Sequence, residues 1–234
     1  MTIASNLFAI HDRIARAAAR TGRNPSDVAL MAVSKTQPAA KVIEAYEAGQ
    51  RLFGENRVQE FADKVGALAD LRDARFHMIG HLQSNKAMKA AEVFHGIDSL
   101  DSAKLAERLN IAAKKVGKTL DALIEINVGG EEAKSGIAPD SPELESILAG
   151  APTWANLGIR GLMTVPPFTD DPEGARSYFR QLRELRDRLA ARNVPGLTMD
   201  VLSMGMSHDF EVAIEEGSTC VRIGTAVFGD RPKP

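Results

Sequence analysis

The residue best suited to chemistry is Lys35, which follows a short apolar run at residues 28–33. A continuous apolar run without alternation indicates a strand that is buried on both faces, as in a parallel sheet. Gln37 and Pro38 then open a helix, because proline suits the first helical turn. A lysine at such a strand end, with its stem against apolar neighbours, is suited to attack a carbonyl and form a Schiff base. The alternative is a loop lysine that points at water, since lysine is seldom buried.

Two further segments are suited to binding an anion. Ser207 precedes a predicted helix that begins near Asp209, so its hydroxyl and the following backbone N–H groups are expected to face outward. Gly224 and Thr225 follow the last predicted strand, where a glycine lets backbone amides approach a ligand closely. The alternatives are that Ser207 and Asp209 only cap a helix and that Gly224 is a turn glycine. Together with Lys35, these residues fit an aldehyde that carries a phosphate.

The elements that must position these residues alternate along the chain. Strands are predicted at 28–34, 51–54, 75–79, 93–97, 121–128, 158–163, 198–203 and 219–223. Helices are predicted at 38–49, 56–68, 84–91, 101–116, 140–149, 172–192 and 209–216, after an amphipathic helix at 3–20 that carries Leu7, Ile10, Ile14 and Ala17.

This alternation predicts an α/β fold with a parallel sheet, because each connection is long enough for a right-handed crossover. The strand count and the length fit a single TIM-type (β/α)8 barrel domain over residues 1–234, with an extra N-terminal helix. In such a barrel the functional groups gather at the carboxyl ends of the strands, and phosphate is often bound by the loops after the last two. A doubly wound open sheet is the alternative, but no GxGxxG motif follows the first strand.

Composition excludes several classes of protein. Of the 234 residues, 44% are hydrophobic and 26% are charged, and the net charge is −2, so neither nucleic acid nor an acidic membrane is expected as a partner. The one cysteine, Cys220, excludes an intramolecular disulfide and a cysteine-based metal cluster, and we expect it in the core. With no long apolar run and no signal peptide, the protein is expected in the cytoplasm. We also expect no metal site. The arginine-rich segment 172–192 is expected to present a solvated outer face.

Six segments carry a combination of motifs that is far more specific than any one of them. They are AVSKTQP (32–38), FGENRVQE (53–60), FHMIGHLQSNK (76–86), INVGGEEAKSGI (126–137), RGLMTV (160–165) and LSMGMSHDFEVAIEEGSTCVRIGTAVFG (202–229). Nearly the whole chain thereby resembles the pyridoxal phosphate homeostasis protein family, also called proline synthase co-transcribed proteins. That family is similar to the N-terminal barrel of alanine racemases, which strengthens the prediction of a barrel.

The resemblance implies a role for individual residues. Lys35 matches the lysine that forms the Schiff base with pyridoxal 5′-phosphate, and Arg222 matches the arginine that faces the pyridine nitrogen. The positions that hold the phosphate are matched by Ser207, Gly224 and Thr225, whereas Asn56, Ser203 and Met206 are expected to line the pocket. A guanidinium stays protonated, so it donates to a neutral ring nitrogen and leaves the cofactor a weaker electron sink.

The resemblance also sets an expectation about catalysis. Racemases use a lysine and a tyrosine from a second domain across a dimer interface, and we expect that domain to be missing here. Only two tyrosines exist, Tyr46 and Tyr178, and both fall within predicted helices rather than at strand ends. We therefore expect no catalytic residue and a monomer that binds pyridoxal phosphate reversibly, buffers it or passes it to apo-enzymes. The alternatives are a pyridoxal phosphate enzyme of low, racemase-like activity on a small amino acid and, more weakly, a Schiff-base aldolase without cofactor.

Overall fold

A computed structural model describes residues 2–131 and 135–229 of the chain. Lys134 and its two preceding neighbours, within the resembling segment 126–137, lie outside the described residues. The strands are β1 (Ala29–Val33), β2 (Leu52–Glu55), β3 (Arg75–Met78), β4 (Gly96–Leu100), β5 (Leu120–Glu125), β6 (Leu157–Met163), β7 (Leu197–Ser203) and β8 (Cys220–Ile223). The helices are α1 (Ile3–Arg20), α2 (Ala39–Glu47), α3 (Val58–Lys64), α4 (Ala87–Val93), α5 (Ala103–Lys115), α6 (Pro142–Gly150), α7 (Arg176–Ala190), α8 (Phe210–Glu215) and α9 (Thr225–Phe228).

The strands close into a parallel barrel in the order β1 to β8. The first and last strands pair over four positions, with Met31 opposite Arg222, while β7 and β8 share only the pair Ser203 and Cys220. The predicted (β/α)8 barrel is thus confirmed, and the carboxyl ends of all these strands meet at one mouth of the barrel.

The amphipathic helix α1 packs on the body of the protein, as predicted. Its apolar stripe, Ile3, Leu7, Ile10, Ile14 and Ala17, is buried, and Thr2 caps its start by accepting a hydrogen bond from the Ser5 amide. Arg13 and Arg20 on α1 pair with Glu211 and Glu215 of α8 at 2.9 and 2.6 Å. The helix therefore closes the side of the barrel next to β8 and β1, where the candidate lysine emerges.

Two predictions about individual segments need correction. The fourth strand begins at Gly96 rather than at residue 93, because Val93 ends α4 and Phe94 packs its ring on Phe61 at 4.8 Å. The outer face of α7 is only partly solvated, because three of its arginines pair with the buried carboxylate of Glu216 at 3.1 Å; they are Arg176, Arg180 and Arg183. These ion pairs attach α7 to α8, which follows the loop that carries Ser207.

Candidate functional site

Lys35 lies where β1 ends, in a tight turn over the mouth of the barrel. It is half-buried between the buried Ser34 and the exposed Thr36. A cavity of about 30 Å³ beside it is lined by Val33, Lys35, Gln37, Gly224, Thr225 and Gly229. The structure therefore brings Lys35 together with Gly224 and Thr225, in a space that has room for the end of a larger ligand and not for a whole cofactor.

Gly224 lies beside the end of β1. A Cβ atom on Gly224 would lie 3.4 Å from the Val33 carbonyl oxygen and 3.5 Å from the Val33 Cβ. These are ordinary van der Waals distances, so a Cβ atom would fit at this position. The turn-glycine interpretation therefore stays open.

Arg222 is buried inside the barrel and held in one orientation by backbone and side-chain acceptors. Its Nη1 donates to the Ser203 carbonyl oxygen at 2.7 Å and to Ser203 Oγ at 2.8 Å, and its Nη2 donates to the Thr164 carbonyl oxygen at 2.7 Å. Burial lowers the pKa of Arg222, whereas nearby acidic groups, including Glu125, raise it. The structure therefore joins two of the predicted site residues, Arg222 and Ser203, in one hydrogen-bonded unit at the ends of β6, β7 and β8.

The loop after β7 is closed by its own carboxylate. Asp209 accepts a hydrogen bond from the Met206 amide at 2.7 Å, and the Asp209 and Phe210 amides donate back to the Met206 carbonyl oxygen. Burial raises the pKa of Asp209, and the hydrogen bond from Met206 lowers it. Helix α8 begins at Phe210, with Asp209 at its N-cap. Ser207 lies in the loop two residues before Asp209 and is half-buried. The Met206 amide is therefore already bonded, whereas the half-buried Ser207 is a polar group that this loop can offer to a ligand.

Asn56 follows the end of β2, the strand that pairs with β1. With Met78 and His81 it lines a groove of about 670 Å³ between the start of α3 and residues 81–86. Gly80 permits the close packing there, since a Cβ on it would lie 2.4 Å from the Asn56 carbonyl oxygen. Asn56 therefore faces a different cavity from Lys35, and Met206 and Ser207 line neither of these two cavities.

Sequence reasoning missed a buried acid at the same end of the barrel. Glu125, the last residue of β5, is 6% exposed, and its Oε2 atom makes no hydrogen bond among the described residues. Burial raises its pKa to about 7; the negative charge of Asp101 raises it as well, and Arg222 lowers it. The signal was present, because Glu125 is the lone charged residue in the otherwise apolar run 122–126.

The amino end of the barrel has a separate cavity of about 160 Å³, lined in part by His77, Asp98 and Cys220. His77 Nδ1 lies 2.8 Å from Asp98 Oδ1, and burial raises the pKa of the Cys220 thiol to about 12. Cys220 is thus the buried, unreactive residue that the sequence predicts. Within the described residues, no group of three or more His, Cys, Asp or Glu side chains is arranged to hold a metal ion, and no helix is long and apolar enough to cross a membrane.

Comparison with known proteins gives a consistent result over the whole chain. Residues 5–232 match the family described as alanine racemase, N-terminal domain. The pyridoxal phosphate homeostasis protein of Aquifex aeolicus is 45% identical over 231 residues, which cover 99% of each chain. The protein of the same name from Pseudomonas aeruginosa is 46% identical over 98% of this chain and 96% of its own. A solved structure of PipY from Synechococcus elongatus, with PLP bound, is 39% identical with a TM-score of 0.82, over 97% of this chain and all (100%) of that one.

Proposed function

The chain belongs to the pyridoxal phosphate homeostasis proteins, within the wider alanine racemase N-terminal domain family, and we propose that it binds pyridoxal 5′-phosphate reversibly through Lys35. It serves to buffer the cofactor and to deliver it to apo-enzymes, without catalysis of its own. The observation that carries the proposal is that Lys35 shares a cavity with Gly224 and Thr225. Location in the cytoplasm and a monomeric state stay predictions.

The residues at this end of the barrel fit the three chemical parts of the cofactor. The amine of Lys35 fits the aldehyde, the hydroxyls of Ser207 and Thr225 with the backbone at Gly224 fit the phosphate, and the buried guanidinium fits a ring nitrogen. Ser203, Met206 and Asn56 belong to the pocket in this proposal, although none of them lines the cavity beside Lys35. Gly224 lies beside Val33, so its backbone is next to the strand end that carries Lys35.

Lys35 makes the covalent link in its uncharged form. Its Nζ adds to the aldehyde carbon, a carbon–nitrogen double bond replaces the carbon–oxygen one, and the oxygen leaves as water with the two amine hydrogens. Addition of water reverses the link, which is the property required for storage and release.

The environment of Arg222 supports the proposal that the protein binds the cofactor rather than uses it in catalysis. The three hydrogen bonds of Arg222 hold the guanidinium in place, and a guanidinium keeps its protons at any physiological pH. A ring nitrogen that accepts from it therefore stays unprotonated, so the bound cofactor withdraws electrons only weakly. The positions of the two tyrosines also support a role in binding. Tyr46 on α2 donates a hydrogen bond to the Asp73 carboxylate, and Tyr178 lies on α7, so neither is at a strand end.

An absorption spectrum of the protein as purified, repeated after adding an apo-enzyme, tests this function. We expect a visible band from the Schiff base that declines as the acceptor enzyme gains activity. Alanine, serine and threonine should not be turned over at a steady rate. Steady turnover of one of them that disappears in Lys35→Ala would establish the competing function, an amino-acid enzyme. A colourless protein with no band after incubation with pyridoxal phosphate would overturn the proposal.

A further inference from the structure

Lys64, the last residue of α3, hydrogen-bonds to the backbone on both sides of Lys35. Its Nζ lies 3.2 Å from the Ser34 carbonyl oxygen, 3.2 Å from the Gln37 carbonyl oxygen and 2.6 Å from Glu55 Oε1. An ammonium group has three N–H donors, so these three acceptors satisfy it completely. The side chain is only 10% exposed, which sets it apart from an ordinary surface lysine.

Glu55 accepts hydrogen bonds from both Lys64 and Ser34. Its carboxylate is fully buried at the end of β2, and Oε1 accepts from Ser34 Oγ at 2.6 Å as well as from Lys64. Burial raises the pKa of Glu55, while the charge of Lys64 and the hydrogen bonds lower it. A buried carboxylate needs such a partner, because an unpaired charge in the interior is strongly unfavourable. Lys64 and Glu55 therefore depend on each other.

The turn held by this pair is not one that its sequence would adopt by preference. Thr36 has φ of 63°, in the left-handed region that a β-branched residue disfavours. Its amide donates to Glu60 Oε1 at 2.6 Å, and the Gln37 amide donates to the Ser34 carbonyl oxygen at 3.1 Å. Contacts from α3 and β2 thus hold a strained backbone next to Lys35.

We propose that Lys64 is a positioning residue for Lys35: it fixes the backbone on both sides of Lys35 and thereby the direction in which that side chain leaves β1. This inference rests on the proposed function, since it assigns Lys64 the task of holding the nucleophile in place for the aldehyde. A fixed direction favours the covalent link because less conformational freedom is lost when the link forms.

The test is the binding of pyridoxal 5′-phosphate by Lys64→Met, compared with binding of pyridoxine 5′-phosphate, which has the phosphate and the ring but no aldehyde. We expect Lys64→Met to form the Schiff base at least about tenfold more weakly, while its affinity for pyridoxine 5′-phosphate changes less than about twofold. Faster hydrogen exchange at the Gln37 amide should accompany the loss. The control is Lys41→Met, which removes a lysine from an exposed ion pair with Glu44 on α2 and should bind both compounds as the wild type does.

Circular dichroism establishes that each variant is folded, and Lys64→Gln, which keeps one amide donor group, replaces the methionine variant if that variant does not fold. Wild-type affinity and rate for pyridoxal phosphate in the folded variant would reduce Lys64 to a structural residue and overturn the inference. An equal loss of affinity for both compounds would also overturn it, because the whole pocket would then have been damaged. A wild-type protein with no link at Lys35 would instead overturn the proposed function, and this inference with it.

Discussion

Replacement of Glu125 by glutamine should stabilise the protein at alkaline pH and leave its stability at acidic pH nearly unchanged. Burial at the end of β5 raises the pKa of this carboxyl group from 4.5 to about 7, with Asp101 adding to the rise and Arg222 opposing it. The native protein therefore keeps a proton on Glu125 at pH values where the unfolded chain has already released it. Glutamine has nearly the same shape and has no such proton to lose.

The magnitude follows from the two pKa values. Between pH 4.5 and about 7 the unfolded state binds fewer protons than the native state, so the free energy of unfolding falls as the pH rises through this range. One pKa unit corresponds to about 1.4 kcal/mol, and the whole interval therefore to about 3 kcal/mol. Relative to the wild type, Glu125→Gln should gain about 3 kcal/mol at about pH 8 and less than about 1 kcal/mol at about pH 5.

Urea denaturation of ligand-free protein, followed by circular dichroism at several pH values, measures this difference. The comparison between variant and wild type cancels the contributions of all other titrating groups. The control is Glu107→Gln on α5, which makes the same chemical change at an exposed position and is measured over the same pH range. If the gain from Glu125→Gln were the same at about pH 5 and about pH 8, the carboxyl group would not titrate in the way described and the reasoning would be refuted.

Three further predictions concern the core, the amino end of the barrel and the site. Phe61→Ala should lower the free energy of unfolding by about 3–5 kcal/mol, because the Phe61 ring is fully buried and its centroid lies 4.8 Å from those of Phe76 and Phe94. In the same urea titration, Phe8→Ala should change the free energy of unfolding by less than about 0.5 kcal/mol, because Phe8 is 78% exposed. Gly96→Ala should cost about 1–3 kcal/mol, because the new Cβ would lie 2.6–2.8 Å from three atoms of the His77 ring, and an unchanged denaturation midpoint would contradict this. Lys35→Ala should keep the fold and its affinity for pyridoxine 5′-phosphate while losing the link that borohydride reduces; loss of the circular dichroism spectrum would show that Lys35 has a structural role.

Those parts of the fold that follow from hydrophobic pattern could be predicted from the sequence. The spacing of Leu7, Ile10, Ile14 and Ala17 predicts the observed bounds of α1, and the apolar run before Ser34 predicts β1 to within one residue at each end. The fourth strand was misplaced because it contains Asp98 and Ser99. These polar residues interrupt the apolar pattern, yet both are buried inside the barrel, where His77 and the Gly80 carbonyl oxygen bond to them.

Some residues of the candidate site could be predicted from the sequence, and others could not. Its lysine and glycine could be located because strand ends and glycines are local signals, and the resemblance supplied Arg222. The support for Lys35 could not be predicted, because Lys64, Glu55 and Ser34 come from different elements and meet only in the closed barrel. Nothing local to Thr36 indicates a left-handed backbone either, since that conformation is imposed by contacts from α3 and β2.

The central claim, that the amine at the end of the first strand holds the cofactor, is tested most directly by locating the covalent link. The protein is incubated with pyridoxal 5′-phosphate, reduced with borohydride, digested and mapped by mass spectrometry. We predict a single modified peptide, with the pyridoxyl group on Lys35. A modification on Lys86 or any other lysine, with Lys35 unmodified, would contradict the account.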